Sequence, residues 1–158
     1  MQPRLHEVSD HQKIQLGVFT VEYLPVSHSI VDASGLAIQT PEVVVIHTGD
    51  FKVDEDLYHG KKITLKPFEQ YGKKGVLALL SDSTNVEREG SSLSEEQIKK
   101  EIFKILKQAE NRVIFSVFAT NIRRIEQVLE MAESLHRRVA VSGRSMEKNV
   151  DIAIQHEL

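Results

Sequence analysis

Phe19, Val21 and Tyr23 alternate with Thr20, Glu22 and Leu24, a mostly period-two pattern that predicts a β-strand. A second short strand is predicted over residues 35–40, stopped by Pro41. Residues 43–48 form a continuous apolar run that suits a strand buried on both faces. Turn residues at short spacing between these segments predict a meander. Residues 49–75 are mixed, punctuated by Gly49, Gly60, Pro67, Gly72 and Gly75. Residues 76–81 then read as another buried strand, leading straight into Asp82-Ser83-Thr84-Asn85. After Asn85 the period changes. Residues 86–94 are small and polar and mark the best domain boundary. Ser94 and Gln97 are spaced as a capping box, and Ile98, Ile102, Ile105, Leu106 and Ala109 supply the apolar stripe of a helix. A strand over 112–118, a helix near 121–136, a strand over 139–142 and a last helix from about Ser145 follow. Strand–helix–strand with long helices predicts a parallel pair joined by a right-handed crossover. The expected class is α/β, with an α+β first half and an open parallel layer in the second.

Composition narrows the class. The 158 residues are 41% hydrophobic and 27% charged with 8 Gly and 4 Pro, which excludes a disordered tail, a collagen-like repeat and a coiled coil. There is no Cys, hence no disulfide framework, thiolate zinc site or cysteine nucleophile. Any metal must be held by the seven His or by carboxylates. The apolar runs are far shorter than the roughly 20 residues a bilayer needs, and the first residues have no apolar signal core. The expectation is an aqueous, reducing compartment, the cytoplasm, with no membrane partner. A net charge of −3 argues against a generally basic coat but leaves room for a local basic groove.

Polar, sharply turning segments follow the predicted strands: Ser27-His28-Ser29, Thr48-Gly49-Asp50, Asp82-Ser83-Thr84-Asn85, Ala119-Thr120-Asn121 and Gly143-Arg144-Ser145. Ligands of open α/β sheets gather at the carboxyl ends of strands, where loops stand on a rigid platform. His28, Asp50 and Asp82 are therefore candidate ligands for a divalent metal. The same residue types cap turns and helix starts, and spacing alone leaves both uses open. Among other residues, His47 reads as a packed, hydrogen-bonded strand residue, His59 as a turn residue, and the His6–His11 stretch as terminal surface. Arg123, Arg124, Arg137, Arg138 and Arg144 could rim a phosphate site, with Ser145 at a helix N-terminus adding backbone donors.

Taken as strings, Ser27-His28-Ser29-Ile30-Val31-Asp32, Thr48-Gly49-Asp50-Phe51-Lys52 and Leu80-Ser81-Asp82-Ser83-Thr84-Asn85 resemble, in this order, the ribonuclease J family of metallo-β-lactamase-fold nucleases with an inserted β-CASP domain. The resemblance continues through Ser94-Glu95, Phe118-Ala119-Thr120-Asn121-Ile122-Arg123-Arg124-Ile125 and Gly143-Arg144-Ser145-Met146. It covers nearly the whole chain from Pro3. It implies a partial αββα sandwich, the second half of a metallo-β-lactamase domain, over residues 1–90, and the start of a parallel α/β β-CASP domain over 91–158. It implies that His28 is a metal ligand, that Asp50 bridges two ions, and that Asp82 supports a His lying further along. The catalytic set is then Asp50 and Asp82, with Ser83, Thr84, Asn121, Arg144 and Ser145 against RNA or phosphate. Two zinc ions, or manganese, are the implied cofactors of the whole enzyme, and RNA its substrate, cut endonucleolytically and from 5′ to 3′. A dimer or tetramer is the implied assembly.

Departures carry as much weight. No HxHxDH string occurs, and HEVSDH at 6–11 has the wrong spacing. Val31 replaces a customary Pro, and Val44 stands where the family commonly turns with Gly; neither touches a ligand. Two ligands cannot saturate a four-coordinate zinc, so the expectation is a piece of the enzyme that is inactive alone and binds no metal of its own. The rivals are a non-catalytic RNA-binding module of the same fold and an unrelated α/β phosphatase centred on Asp82-Ser83-Thr84-Asn85. The second leaves the other strings unexplained.

Overall fold

The computed structural model describes residues 4–53, 63–90 and 93–156. Contacts divide the chain into two compact units, Met1–His28 with Asp32–Gly90, and Ser29–Val31 with Ser91–Leu158. The first unit holds β1 (Lys13–Leu16), β2 (Phe19–Pro25), β3 (Ser34–Gln39), β4 (Val44–His47), α1 (Lys66–Lys74) and β5 (Ala78–Leu80). They build one sheet in the order β1-β2-β3-β4-β5. The first four strands form the predicted antiparallel meander, and β5 joins β4 in parallel. Leu16 faces Phe19 across a two-residue hairpin turn, where Gly17 takes φ 62° at no steric cost.

Register decides which residues become core. Leu24 faces Gly35 and Ala37 faces Ile46, which places Leu24, Ala37 and Ile46 on one side of the sheet. α1 closes that side with Tyr71 and Phe68, and Leu24 and Ala37 are fully buried. Nothing in the mixed 49–75 stretch announced this helix. It carries Pro67 in its first turn, runs with Phe68 and Tyr71 three residues apart, and is capped by Gly75 with φ 99°.

β4 and β5 correct two expectations. β4 is not buried on both faces: Ile46 is buried while His47 is exposed. The strand predicted over 76–81 is shorter, and all of Ala78–Leu80 is exposed. β5 is an edge strand with a single neighbour; on the side opposite Ile46, Val21 is buried but His47 and Leu80 are exposed. An apolar run signals burial only when both faces are covered.

Where β1, β2 and α1 meet, the Tyr71 hydroxyl donates to Glu22, and Gln39 Nε2 donates to the Tyr71 hydroxyl at 2.9 Å. Lys13 Nζ lies 3.3 Å and His11 Nδ1 3.7 Å from the Glu22 carboxylate. Burial pushes the Glu22 carboxyl up, but the Tyr71 hydroxyl, Lys13 and His11 outweigh it and hold it below its ordinary value. Burial and then the Glu22 carboxylate push the Tyr71 phenol well above its usual range. A carboxyl depressed by folding stabilises fully above its unfolded pKa, and that contribution is lost as pH falls through the folded one. The chain is therefore expected to melt at lower temperature as pH drops through and below the usual carboxylate range. Glu22→Gln should show a shallower loss than wild type over the same acid window.

The second unit contains α2 (Glu95–Gln108), α3 (Ile122–Ser134) and α4 (Arg144–Gln155). α2 starts as its sequence predicts. Ser94 accepts from the Gln97 backbone N–H, and the Gln97 side chain returns the bond to the Ser94 N–H. α3 is capped by Asn121, which accepts from the Arg124 N–H at 3.1 Å. The strands predicted over 112–118 and 139–142 do not form: neither segment pairs with a partner. Ile114 and Phe118 are 90% and 83% exposed. Two strands alone make at best a marginal ladder, and no further strand is available to them among the described residues of this unit.

Candidate functional site at the strand ends

Three loops of the first unit leave the carboxyl ends of β2, β4 and β5, and their backbones are tied together. β4 continues into Thr48, whose N–H donates to the Leu80 carbonyl at 3.0 Å, extending the β4–β5 ladder by one rung. The Thr48 side chain is buried and its hydroxyl accepts from the Asp82 N–H at 3.0 Å. The same hydroxyl donates to the Gly49 carbonyl at 2.8 Å. The Lys52 N–H donates to the Ser27 carbonyl at 2.8 Å, joining the loop that carries Asp50 to the residue before His28. Gly49 makes the turn possible, with φ 64° and its N–H donating to His47 Nδ1 at 3.0 Å.

Asp82 is the electrostatic centre of this arrangement. Its Oδ1 accepts from the Thr84 N–H at 2.8 Å and from the Thr84 hydroxyl at 2.7 Å. The Thr84 hydroxyl first, then the Thr84 N–H and smaller contributions from the Phe51 and Ser83 backbone, hold the Asp82 carboxyl below its ordinary value. Asp50 is exposed and His28 half-buried. Beside them a cleft of about 230 Å³ is lined by Val26, Ser27, Thr48, Phe51, Lys52 and Phe68 among others.

Other candidates have more ordinary placements. Thr84 organises the turn at Asp82, Ser83 is exposed, and Asn121 is occupied as the α3 cap. Arg144 and Ser145 open α4 and are exposed. Two members of the expected arginine rim are committed elsewhere. Arg124 is buried against Glu95, and Arg137 donates to the Asn111 carbonyl at 3.0 Å and to that of Ala109. His47 is hydrogen-bonded but exposed rather than packed. His11 sits beside Glu22 in the middle of β2, and His59 lies outside the described residues. Thr48 has no role predicted from sequence; a hydroxyl one residue past a strand and two before a candidate ligand is the signal for it. Among the described residues no three His, Asp or Glu side chains converge to hold a metal. These residues do not by themselves make a metal site.

A meander sheet with candidate ligands on its strand-end loops, followed by a helical unit, defines a mixed α/β protein. The family described as "Ribonuclease J, beta-CASP domain" matches residues 110–158. Ribonuclease J of Helicobacter pylori is 45% identical over 140 residues, covering 89% of this chain and 20% of the relative. Ribonuclease J of Thermus thermophilus is 43% identical over 152 residues, covering 96% and 26%. Ribonuclease J of Mycolicibacterium smegmatis is 40% identical over 153 residues, covering 97% and 27%. Over the length it spans, the chain belongs to the ribonuclease J family. It spans between a fifth and about a quarter of the length of these relatives. A crystal structure of a protein of unknown function from Enterococcus faecalis superposes with a TM-score of 0.61 at 19% identity, covering 91% of this chain and 39% of that one, and shows the fold alone. No helix among the described residues is long and apolar enough to cross a membrane.

Proposed function

We propose that these 158 residues act within a longer, metal-dependent ribonuclease that hydrolyses RNA phosphodiester bonds, both internally and from 5′ to 3′. Residues 1–90 supply the second half of a metallo-β-lactamase domain, and 91–158 the opening of its β-CASP domain. The observation that carries this reading is the stitching of the β2, β4 and β5 loops, which brings the backbones bearing His28, Asp50 and Asp82 to one end of one sheet.

In this reading His28 and Asp50 are ligands to a pair of zinc or manganese ions whose remaining ligands lie outside the described residues. Such ions, when bound, activate water and neutralise charge on the scissile phosphate. The residues of this chain contribute position: Asp50 is exposed, and the Asp82 N–H on the Thr48 hydroxyl ties the start of its loop to the end of β5. Arg144 and Ser145, at the start of α4, and Ser83, Thr84 and Asn121 are the proposed contacts to RNA. We place the enzyme in the cytoplasm as a dimer or tetramer. The lack of a converging ligand set among the described residues favours one second reading, an RNA-binding module without a metal centre.

Single-stranded RNA incubated with purified residues 1–158 and zinc or manganese should remain intact. Metal-dependent degradation that both His28→Ala and Asp50→Ala abolish would show the 158 residues to be a complete enzyme and overturn the partial-site reading. Chelator-insensitive RNA binding at low salt, weakened by Arg144→Ala, would favour the binding module.

A further inference from the structure

We propose that the buried Thr48 hydroxyl, holding the Asp82 N–H, clasps the base of the loop that carries Asp50, which makes Thr48 a positioning residue for that carboxylate; this rests on the reading of Asp50 as a ligand.

The clasp joins two loops through one side chain: the Asp82 N–H donates to Thr48 Oγ1 at 3.0 Å. Asp50 lies two residues past Thr48. A second anchor follows it, the Lys52 N–H on the Ser27 carbonyl at 2.8 Å. The exposed Asp50 is thus mounted on backbone pinned at positions 48 and 52, on either side of it.

Thr48 suits the task. Its hydroxyl is at once an acceptor, for Asp82, and a donor, to the Gly49 carbonyl at 2.8 Å. It is 7% exposed, so water competes poorly for either bond. It lines the cleft together with Val26, Phe51 and Phe68. Valine keeps the shape and loses both bonds, leaving the Asp82 N–H without its acceptor. Serine keeps the bonds.

The test uses Thr48→Val, Thr48→Ser and Asp82→Ala in the 158-residue chain, with amide hydrogen exchange read by NMR. Thr48→Val should speed exchange at the Asp82 amide at least about tenfold while the Ala37 and Ile46 amides hold their protection, and Thr48→Ser should match wild type. Asp82→Ala should speed exchange at Thr84, whose N–H loses its acceptor, without unfolding the sheet. Unchanged exchange at Asp82 in the valine variant overturns the clasp. If Thr48→Val does not fold, Thr48→Ala is read at the same Asp82 amide and decides. In the complete polypeptide that carries this segment, Thr48→Val should lower kcat about 10–100-fold with KM unchanged, rescued by serine. An inactive Asp50→Ala beside a fully active Thr48→Val removes the clasp and leaves the ribonuclease reading standing. An active Asp50→Ala removes that reading itself.

Discussion

Alanine in place of Gly49 is expected to destabilise the first unit by about 2–4 kcal/mol. Two independent effects combine. Gly49 sits at φ 64°, a left-handed conformation that costs an L side chain energy whatever the surroundings. A Cβ there would also lie 2.9 Å from the Ser34 carbonyl oxygen, a backbone atom that cannot rotate away. The two strands approach this closely from both sides, since a Cβ on Gly35 would meet the Thr48 oxygen at 2.7 Å. Relief requires β3 and the end of β4 to separate, which moves Asp50 with them. Denaturant unfolding measures the loss. Gly72→Ala is the control: its Cβ would meet nothing within 4 Å, and it lies in α1, so the change should stabilise by up to about 1 kcal/mol. Equal stability of the two variants would mean that the close approach at Gly49 is not present in solution.

Leu24→Ala carries the second large effect, a loss of about 2–5 kcal/mol. Leu24 has no solvent exposure and lies in the cluster with Ala37, Ile46 and Tyr71. Truncation removes buried methyl groups and leaves a void between the sheet and α1 that a hydrogen-bonded ladder cannot collapse to fill. Leu80→Ala, at a residue 53% exposed and paired with His47 on the side opposite Ile46, should stay within about 0.5 kcal/mol of wild type. The contrast separates the covered side of the sheet from the open one. Similar costs at the two positions would contradict the assignment of the core to the α1 side.

What was legible in the sequence follows from how local each signal is. The β2 alternation, the Ser94–Gln97 capping box and the apolar stripe of α3 are contained in a few neighbouring residues, and all three formed where they were expected. Burial is not local. Residues 43–48 and 76–81 are as apolar as doubly covered strands, yet His47 and Leu80 are exposed because their cover would have to come from residues distant in the chain or absent from the described set. The segments over 112–118 and 139–142 failed as strands for a related reason: a strand exists only as one side of a ladder. α1 escaped notice because nine residues are too few for a periodic signal, and its Gly72 and flanking Gly75 read as loop. At the site, the string order pointed to His28, Asp50 and Asp82, but Thr48 could be recognised only when its hydroxyl was seen beneath the Asp82 N–H.

The central claim, that His28 and Asp50 work as metal ligands in a ribonuclease, is tested most directly by RNA hydrolysis. The complete polypeptide that carries this segment would be assayed on single-stranded RNA with zinc or manganese, as wild type, His28→Ala and Asp50→Ala. Each substitution removes part of an interaction worth several kcal/mol in the transition state, so each should cost at least about 100-fold in kcat/KM. Both variants should keep the unfolding transition of the wild type, since neither residue lies in the buried cluster. Wild-type hydrolysis by either folded variant would contradict the account.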